Sequence, residues 1–291
     1  MAKPNLALIG AGKLGTSLAL ALHRKGYTVL AVADIDEGAA REAAKELGSP
    51  PATADPAAAA KEADLVILAV PDSAIKSVAE NLAARQAFKK GQIVCHTSGF
   101  LPAGVLVSLK LFGVYTLSLH PFVSIARKMQ PENLSGAYFA LEGDALAVEQ
   151  AREMVAALDG FSLAIKPQDK PLYHAAGAMA SYLAVALWLG SEQALIKAGA
   201  DREAAGQMVA SMVRSLEGNI KQNGLAGALT GPVMRGDLAT VQGHLQALKA
   251  WGGPYEQIYR MLGRAVLKKA EEQGLSSALC QKLAEELGGK D

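Results

Sequence analysis

Residues 5–26 read NLALIGAGKLGTSLALALHRKG, and no other stretch restricts the fold of the chain as much. An apolar run too short for a helix meets a glycine turn, after which apolar residues return at helical spacing. Gly10, Gly12 and Gly15 make the pattern GxGxxG. The first glycine serves a tight turn, the second lets an anion approach the backbone, and the third lets helix pack closely on strand. The helix so started presents unpaired N–H groups at its N-terminus, where a phosphate can bind. Many glycine-rich turns match this pattern alone, so its weight depends on the segments C-terminal to it.

The next apolar run, YTVLAVAD, ends at Asp34, about 20 residues past the glycines, where an acid holds the hydroxyls of an adenosine ribose. Such an acid favours NAD over NADP. Two alternatives stand beside it: Asp34 or Asp36 capping a helix that begins near Glu37, and Arg41 serving as a phosphate partner that keeps NADP open. ADLVILAVPDSAI, GQIVCHTSGFLPAG and GVYTLSLHPF are continuous apolar runs that end in polar or proline turns, as buried parallel strands do. Helices are expected between the strands at 37–47, 56–62, 73–86 and 102–109. AYFALEG and FSLAIK, joined by a helix over 145–158, add two more strands.

The expected fold class is therefore α/β. An open, doubly wound sheet over residues 1–166 binds a dinucleotide through Gly10, Gly12, Lys13, Leu14, Gly15, Asp34, Val70 and Pro71. An all-α domain over 167–291 comes next, with helices at 168–198, 201–222, 237–250, 254–273 and 276–287.

Ligands of such sheets lie beyond the carboxyl ends of the strands. That edge carries Pro71 and Asp72, then His96, Thr97, Ser98 and Gly99, then His120 and Pro121. Thr97 and Ser98 are candidates for hydrogen bonds to a substrate. His96 and His120 either face the ligand or satisfy loop backbone, and Cys95 packs as a small hydrophobe.

Charge narrows the partners. The chain has 29 Lys plus Arg against 28 Asp plus Glu, with no basic block to follow a phosphate backbone, so no nucleic-acid partner is expected. Its two cysteines lie far apart without zinc-type spacing, which suits a reducing, cytoplasmic setting. Lys3 and the apolar stretch ending in ALA at 19–21 imitate a signal peptide, but Lys13 interrupts that stretch and a nucleotide turn explains the glycines better. A run without formal charge also lies between Lys170 and Glu192. It is long enough for a bilayer, yet it is rich in Ala, carries His174, Gly177 and Ser181, and lacks one-sided basic flanks. The expectation is a buried helix of a soluble protein, with no membrane contact.

That helix starts with the chain's most suggestive pair. With Asp169 as N-cap and Pro171 in the first turn, Lys170 and His174 stand at i and i+4 on one face at the domain junction. A lysine at the rim of a dry cleft has its pKa lowered by desolvation and can exchange a proton near neutrality. Reduction of a carbonyl or imine requires such a donor. The plainer reading is a solvated lysine beside a surface histidine. In LTGPVMRGDLATVQGHL, Arg235 is either a surface guanidinium or an anchor for a substrate carboxylate or cofactor phosphate. A zinc site of His96, His120 and His174 is a further alternative, without a ligand-type doublet to support it.

GAGKLG, HTSG, SLHPF, DKPLYHAAGAMAS and LTGPVMRGDLATVQGHL together resemble bacterial proteins that join a Rossmann-like domain to a C-terminal domain of unknown function. The likeness covers nearly the whole chain. That family is similar to pyrroline-5-carboxylate reductases, ketopantoate reductases and β-hydroxyacid dehydrogenases. In several of these a Lys heading the first long helix acts as acid or base and is followed by Asn at i+4; here the matching residues are Lys170 and His174. Closer relatives read ASN where this chain has Ala180, Ser181 and Tyr182. The resemblance implies an NAD(P)-dependent reductase of a small keto or imino carboxylate, ketopantoate first and pyrroline-5-carboxylate second. It would use Lys170 for proton transfer, His174 to orient the substrate, Thr97, Ser98, His120 and Arg235 as substrate contacts, and the C-terminal helices to form a homodimer. The alternative is a sensor that binds NAD(P) without turnover.

Overall fold

The computed structural model describes residues 3–288. The chain divides into two compact units, one ending at Tyr182 and one beginning at Leu183. In the first, β1 (Leu6–Ile9), β2 (Val29–Ala33), β3 (Ala52–Thr53), β4 (Leu65–Leu68), β5 (Ile93–His96), β6 (Tyr115–Pro121), β7 (Tyr138–Gly143) and β8 (Phe161–Ala164) make one sheet. Its order is β3-β2-β1-β4-β5-β6-β7-β8. The first six strands run parallel. β7 turns antiparallel on β6, and β8 pairs parallel with β7. The expected α/β sheet is thus present with both of its later strands.

Alternation along the strands decides how the helices cover it. Leu6, Leu8, Leu65, Ile67, Cys95, Leu117 and Phe139 point into one core, with α1 (Lys13–Arg24), α2 (Glu37–Glu46) and α6 (Ala145–Ala157). Ala7, Ile9, Ala31, Val66, Leu68 and Val94 point into the other, with α3 (Pro56–Ala60), α4 (Asp72–Ala84) and α5 (Val107–Lys110). Strands buried on both faces must be apolar throughout, which is why they read as unbroken runs. The helix expected at 102–109 is instead a 3₁₀ turn, Ala103–Leu106, followed by the single turn of α5, since Pro102 and Gly104 disfavour a longer helix.

The run expected as one helix over 168–198 is composite. A 3₁₀ turn, Pro167–Asp169, leads into α7 (Lys170–Ala178), a π turn, Met179–Leu183, and then α8 (Ala184–Lys197). Asp169 makes no side-chain cap, because the 3₁₀ turn already supplies the entry. The first unit extends past the expected boundary at 166 because Lys170 and Tyr173 of α7 hydrogen-bond to the sheet and its loops.

The second unit is helical throughout its described length: α8, α9 (Arg202–Ala228, bent at Gly224), α10 (Pro232–Arg235), α11 (Leu238–Trp251), α12 (Tyr255–Glu272) and α13 (Ser277–Glu286). Asp201 and Asp237 cap α9 and α11 through their carboxylates. Val233, Val241, Leu245, Leu267, Cys280 and Leu283 form its core.

The apolar run Pro167–Lys197 is long and apolar enough to cross a membrane. Contrary to expectation it is not buried within the chain: Leu172, Met179, Tyr182, Val185 and Leu189 are exposed. The main neighbour of α8 is α9, and one neighbour covers only one stripe of a helix whose apolar residues extend to more than one face.

Candidate functional site

The glycine turn is built as its spacing requires. Gly10 has φ +100°, and a Cβ there would stand 2.5 Å from the Ala69 carbonyl, so only glycine suits the exit from β1. A Cβ on Gly15 would run into the Gly10 carbonyl, which sets the close packing of α1 on the sheet. At Gly12 a Cβ would meet nothing within 4 Å, leaving the approach to the backbone open. α1 begins without a side-chain cap, so its first N–H groups, at Lys13, Leu14 and Gly15, face outward for an anion. These residues fit a dinucleotide.

Asp34 lies beside this turn. Its Oδ2 accepts from Ala11 N at 2.7 Å and its Oδ1 from Asp36 N at 2.9 Å. The capping role falls to Asp36, which accepts from Gly38 N and Ala39 N. Arg41 is paired with Glu37 at 2.8 Å on the surface. Val70 is half-buried and Pro71 exposed at the end of β4.

The HTSG loop after β5 is tied by its own side chains. His96 is wholly buried; its Nε2 lies 3.2 Å from the Pro102 carbonyl and its Nδ1 accepts from Ser98 N. With both ring nitrogens engaged, His96 has none for the zinc alternative. Among the described residues no three His, Cys, Asp or Glu side chains are grouped to hold a metal ion. The Ser98 hydroxyl donates to Asp72 Oδ2 at 2.7 Å and accepts from Phe100 N and Leu101 N, so it holds the loop. Thr97 is buried beside it. Cys95 packs in the core as expected, with burial pushing its thiol up to about 12.

Lys170 is not at a rim. It is wholly buried, and its Nζ donates to Ser118 Oγ at 2.7 Å and to the Ser98 carbonyl at 3.1 Å. Burial brings its pKa down to about 8, against the opposing pull of Glu142 and Asp72. The direction matches the expectation, although the cause is enclosure between β5, β6 and α7. Ser118 was missed in the sequence. Strand alternation could have found it, since Ser118 and His120 lie two apart on β6 and so share a face.

His174 diverges from Lys170 towards a cavity of about 250 Å³ that it lines with His120, Phe122, Gly177, Ser181 and Tyr182. The His120 and His174 rings meet edge to face with centroids 5.9 Å apart. Gly99 makes room for both: a Cβ there would stand 2.8 Å from His120 Nε2 and 2.7 Å from His174 Cδ2. Burial first, then Lys170, His174 and His96, lower the His120 pKa to about 4. Tyr173, also missed in the sequence, has its hydroxyl 2.8 Å from His120 Nδ1. Arg235 is an exposed residue of the second unit, at the end of α10.

Comparison with known proteins agrees with this architecture. Residues 1–121 match the family described as a Rossmann-like domain, and residues 137–266 the family described as a domain of unknown function, DUF2520. No curated protein matches. Among solved structures, a candidate NADP oxidoreductase from Bacteroides fragilis is 21% identical, covering 91% of this chain and 98% of its own, with a TM-score of 0.74. The protein TM1727 from Thermotoga maritima is 24% identical over 92% of this chain and 99% of its own, TM-score 0.70. A pyrroline-5-carboxylate reductase from Coxiella burnetii is 18% identical over 99% and 97%, TM-score 0.58. At these identities the likeness is one of fold. The chain pairs an N-terminal Rossmann-like domain with a C-terminal domain of the DUF2520 family.

Proposed function

We propose that this protein is a nicotinamide-dependent reductase of a small keto or imino carboxylate. The observation that carries the reading is the buried Lys170 ammonium at the carboxyl ends of β5 and β6, on the sheet edge that also bears the glycine turn. Burying a cation is costly, and a lysine whose pKa is brought near neutrality beside a cavity marks a site of proton transfer. The pyrroline-5-carboxylate reductase among the structural relatives supports the same class of reaction.

When bound, a nicotinamide nucleotide would supply a hydride to the carbonyl or imine carbon, leaving an electron pair on oxygen or nitrogen that needs a proton. The turn at Gly10 and Gly12, with the first N–H groups of α1 at Lys13, Leu14 and Gly15, would hold the pyrophosphate of such a nucleotide, with Val70 and Pro71 available at the end of β4. Asp34 has lone pairs beyond its two backbone bonds to accept from ribose hydroxyls. Its charge opposes a 2′-phosphate, so NAD(H) is the preferred cofactor. Lys170 holds the proton to be transferred, and Ser118, which accepts from it, fixes its ammonium in place. His120 and His174 orient the substrate in the cavity, with Thr97 and the Ser98 loop behind them.

Oxidation of NADH and NADPH should be screened against 2-keto acids, ketopantoate first, and cyclic imino acids, pyrroline-5-carboxylate first. Hydride loss with at least one class and at least about tenfold tighter NADH than NADPH are expected, a difference of roughly 1.4 kcal/mol. Tight cofactor binding with no hydride loss across the panel would replace this reading with a non-catalytic NAD(P)-binding sensor.

The same chain is proposed to form a homodimer through its C-terminal helices. Leu183 at the end of the π turn, Val185 and Leu189 on α8, and Met208, Met212 and Leu216 on α9 are exposed, and a second copy would remove them from water. Sedimentation should give twice the 30.2 kDa chain mass. A monomer, or recovery only from the membrane fraction, would refute it.

A further inference from the structure

The reductase reading leaves Tyr173 without a role, although its hydroxyl makes the one hydrogen bond found to the His120 ring among the described residues. We propose that Tyr173 locks His120 in the tautomer protonated at Nε2, so that the cavity presents a neutral N–H donor and selects a carbonyl oxygen over a protonated imine. This rests on the reductase reading and narrows its substrate to the keto class.

A phenol beside an imidazole can bond either way, so the direction needs an argument. The imidazole Nδ1 lone pair is a better acceptor than a phenol oxygen conjugated with its ring, and the phenol O–H is the stronger donor. Were Nδ1–H the donor, the Tyr173 hydrogen would need another acceptor, and none is found among the described residues. The two rings meet edge to face at 89° with centroids 5.5 Å apart. Phe122 packs against Tyr173 from another side at 5.4 Å, which holds the phenol in place.

With Nδ1 committed, the proton sits on Nε2. That nitrogen has no protein partner among the described residues and is not among the buried unpaired atoms, while its ring lines the cavity. Gly99 keeps the Nε2 edge clear of a side chain that would abut it. The ring also stays neutral: the charged or chargeable groups that act on it, Lys170, His174 and His96, all oppose a positive charge, as does burial. Thus the donor does not become an imidazolium near neutral pH.

The residues that line the cavity, with His120 and Ser124 on one side and His174, Gly177, Ser181 and Tyr182 on the other, include no carboxylate. A ketone offers its oxygen lone pairs to Nε2–H. A protonated imine offers only another N–H and a positive charge, and meets neither an acceptor at His120 nor a counter-charge. Sites built to bond one group reject the analogue that leaves the bond unmade. Tyr173 acts through His120 and is a positioning residue.

The test begins with the resting wild-type chain, labelled with ¹⁵N-histidine and observed by NMR at neutral pH. His120 should show a protonated Nε2 and a bare Nδ1; protonation at Nδ1 alone or at both nitrogens would overturn the lock. In Tyr173→Phe the His120 signal should become a mixture of tautomers. Turnover of that variant on 2-keto acids should fall about tenfold, the scale of one hydrogen bond, with no fall on cyclic imino acids. An equal loss on both classes, or faster wild-type reduction of the imines, sinks the selectivity. If wild type reduces neither class, the reductase reading and the selectivity built on it fall, and the NMR result still decides the tautomer.

Discussion

Lys170→Met is expected to leave cofactor affinity nearly unchanged while lowering turnover by about 100-fold or more, the usual scale for a lost general acid. Methionine keeps the length and apolar contacts of the lysine chain but has no proton to give. It also removes a positive charge from an enclosed place, where charge developing on a substrate oxygen is poorly screened. The pH profile separates the proton from the packing. The Lys170 pKa is lowered to about 8 by burial, so wild-type turnover should decline as pH rises through that value, and the variant should lose this limb. His174→Ala should cost less, since His174 orients the substrate. A well-folded Lys170→Met with wild-type turnover would refute the assignment. A joint fall in melting temperature and cofactor binding would mean instead that Lys170 only braces the start of α7.

Acid should destabilise the fold over a window set by two buried imidazoles. His96 and His120 are each brought down to about 4 from an ordinary 6.5. Burial is the largest cause for both, with Lys170 adding to it; Pro102 and Asp72 partly oppose it at His96. Between these values the unfolded chain binds more protons than the native one, so stability rises with pH there. It is therefore fully present above about 6.5 and lost as pH falls towards 4. One pKa unit corresponds to about 1.4 kcal/mol, so the pair can supply a few kcal/mol and shift the melting temperature by several degrees. Melts from pH 7 to 4.5 should show this slope, and His96→Asn with His120→Gln should flatten it. An unchanged slope in the double variant would place the acid sensitivity elsewhere.

Much of the fold was legible because its signals are local. Strands buried on both faces must be apolar throughout, and Gly10 with its positive φ and Gly15 under the Gly10 carbonyl are forced by backbone sterics that any such turn shares. β1, β4 and β5, buried at every position, and most helix limits obey these rules, whereas the two-residue β3 (Ala52–Thr53) gave no apolar run and β8 lies exposed. Asp36 rather than Asp34 as helix cap was open in the sequence, because either carboxylate lies within reach of the α2 N-terminus and only the loop's path chooses.

The candidate site was legible in its residue types and not in its arrangement. Helical spacing put Lys170 and His174 on one face of α7. The sheet then took Lys170 into a buried contact with Ser118 while His174 turned to the cavity. Ser118 and Tyr173 are ordinary residues in the sequence, and each acquires its part from a partner 52 or 53 positions away. Likewise the apolar run of α8 specified a helix that avoids water, but not what covers it, and in the single chain its apolar side chains stay largely exposed. Periodicity and steric rules act between near neighbours, so the sequence by itself determined the βα units, the nucleotide turn and the helical second half. Hydrogen-bond partners, burial and pKa values depend on which distant segments meet, and those only the tertiary structure decided.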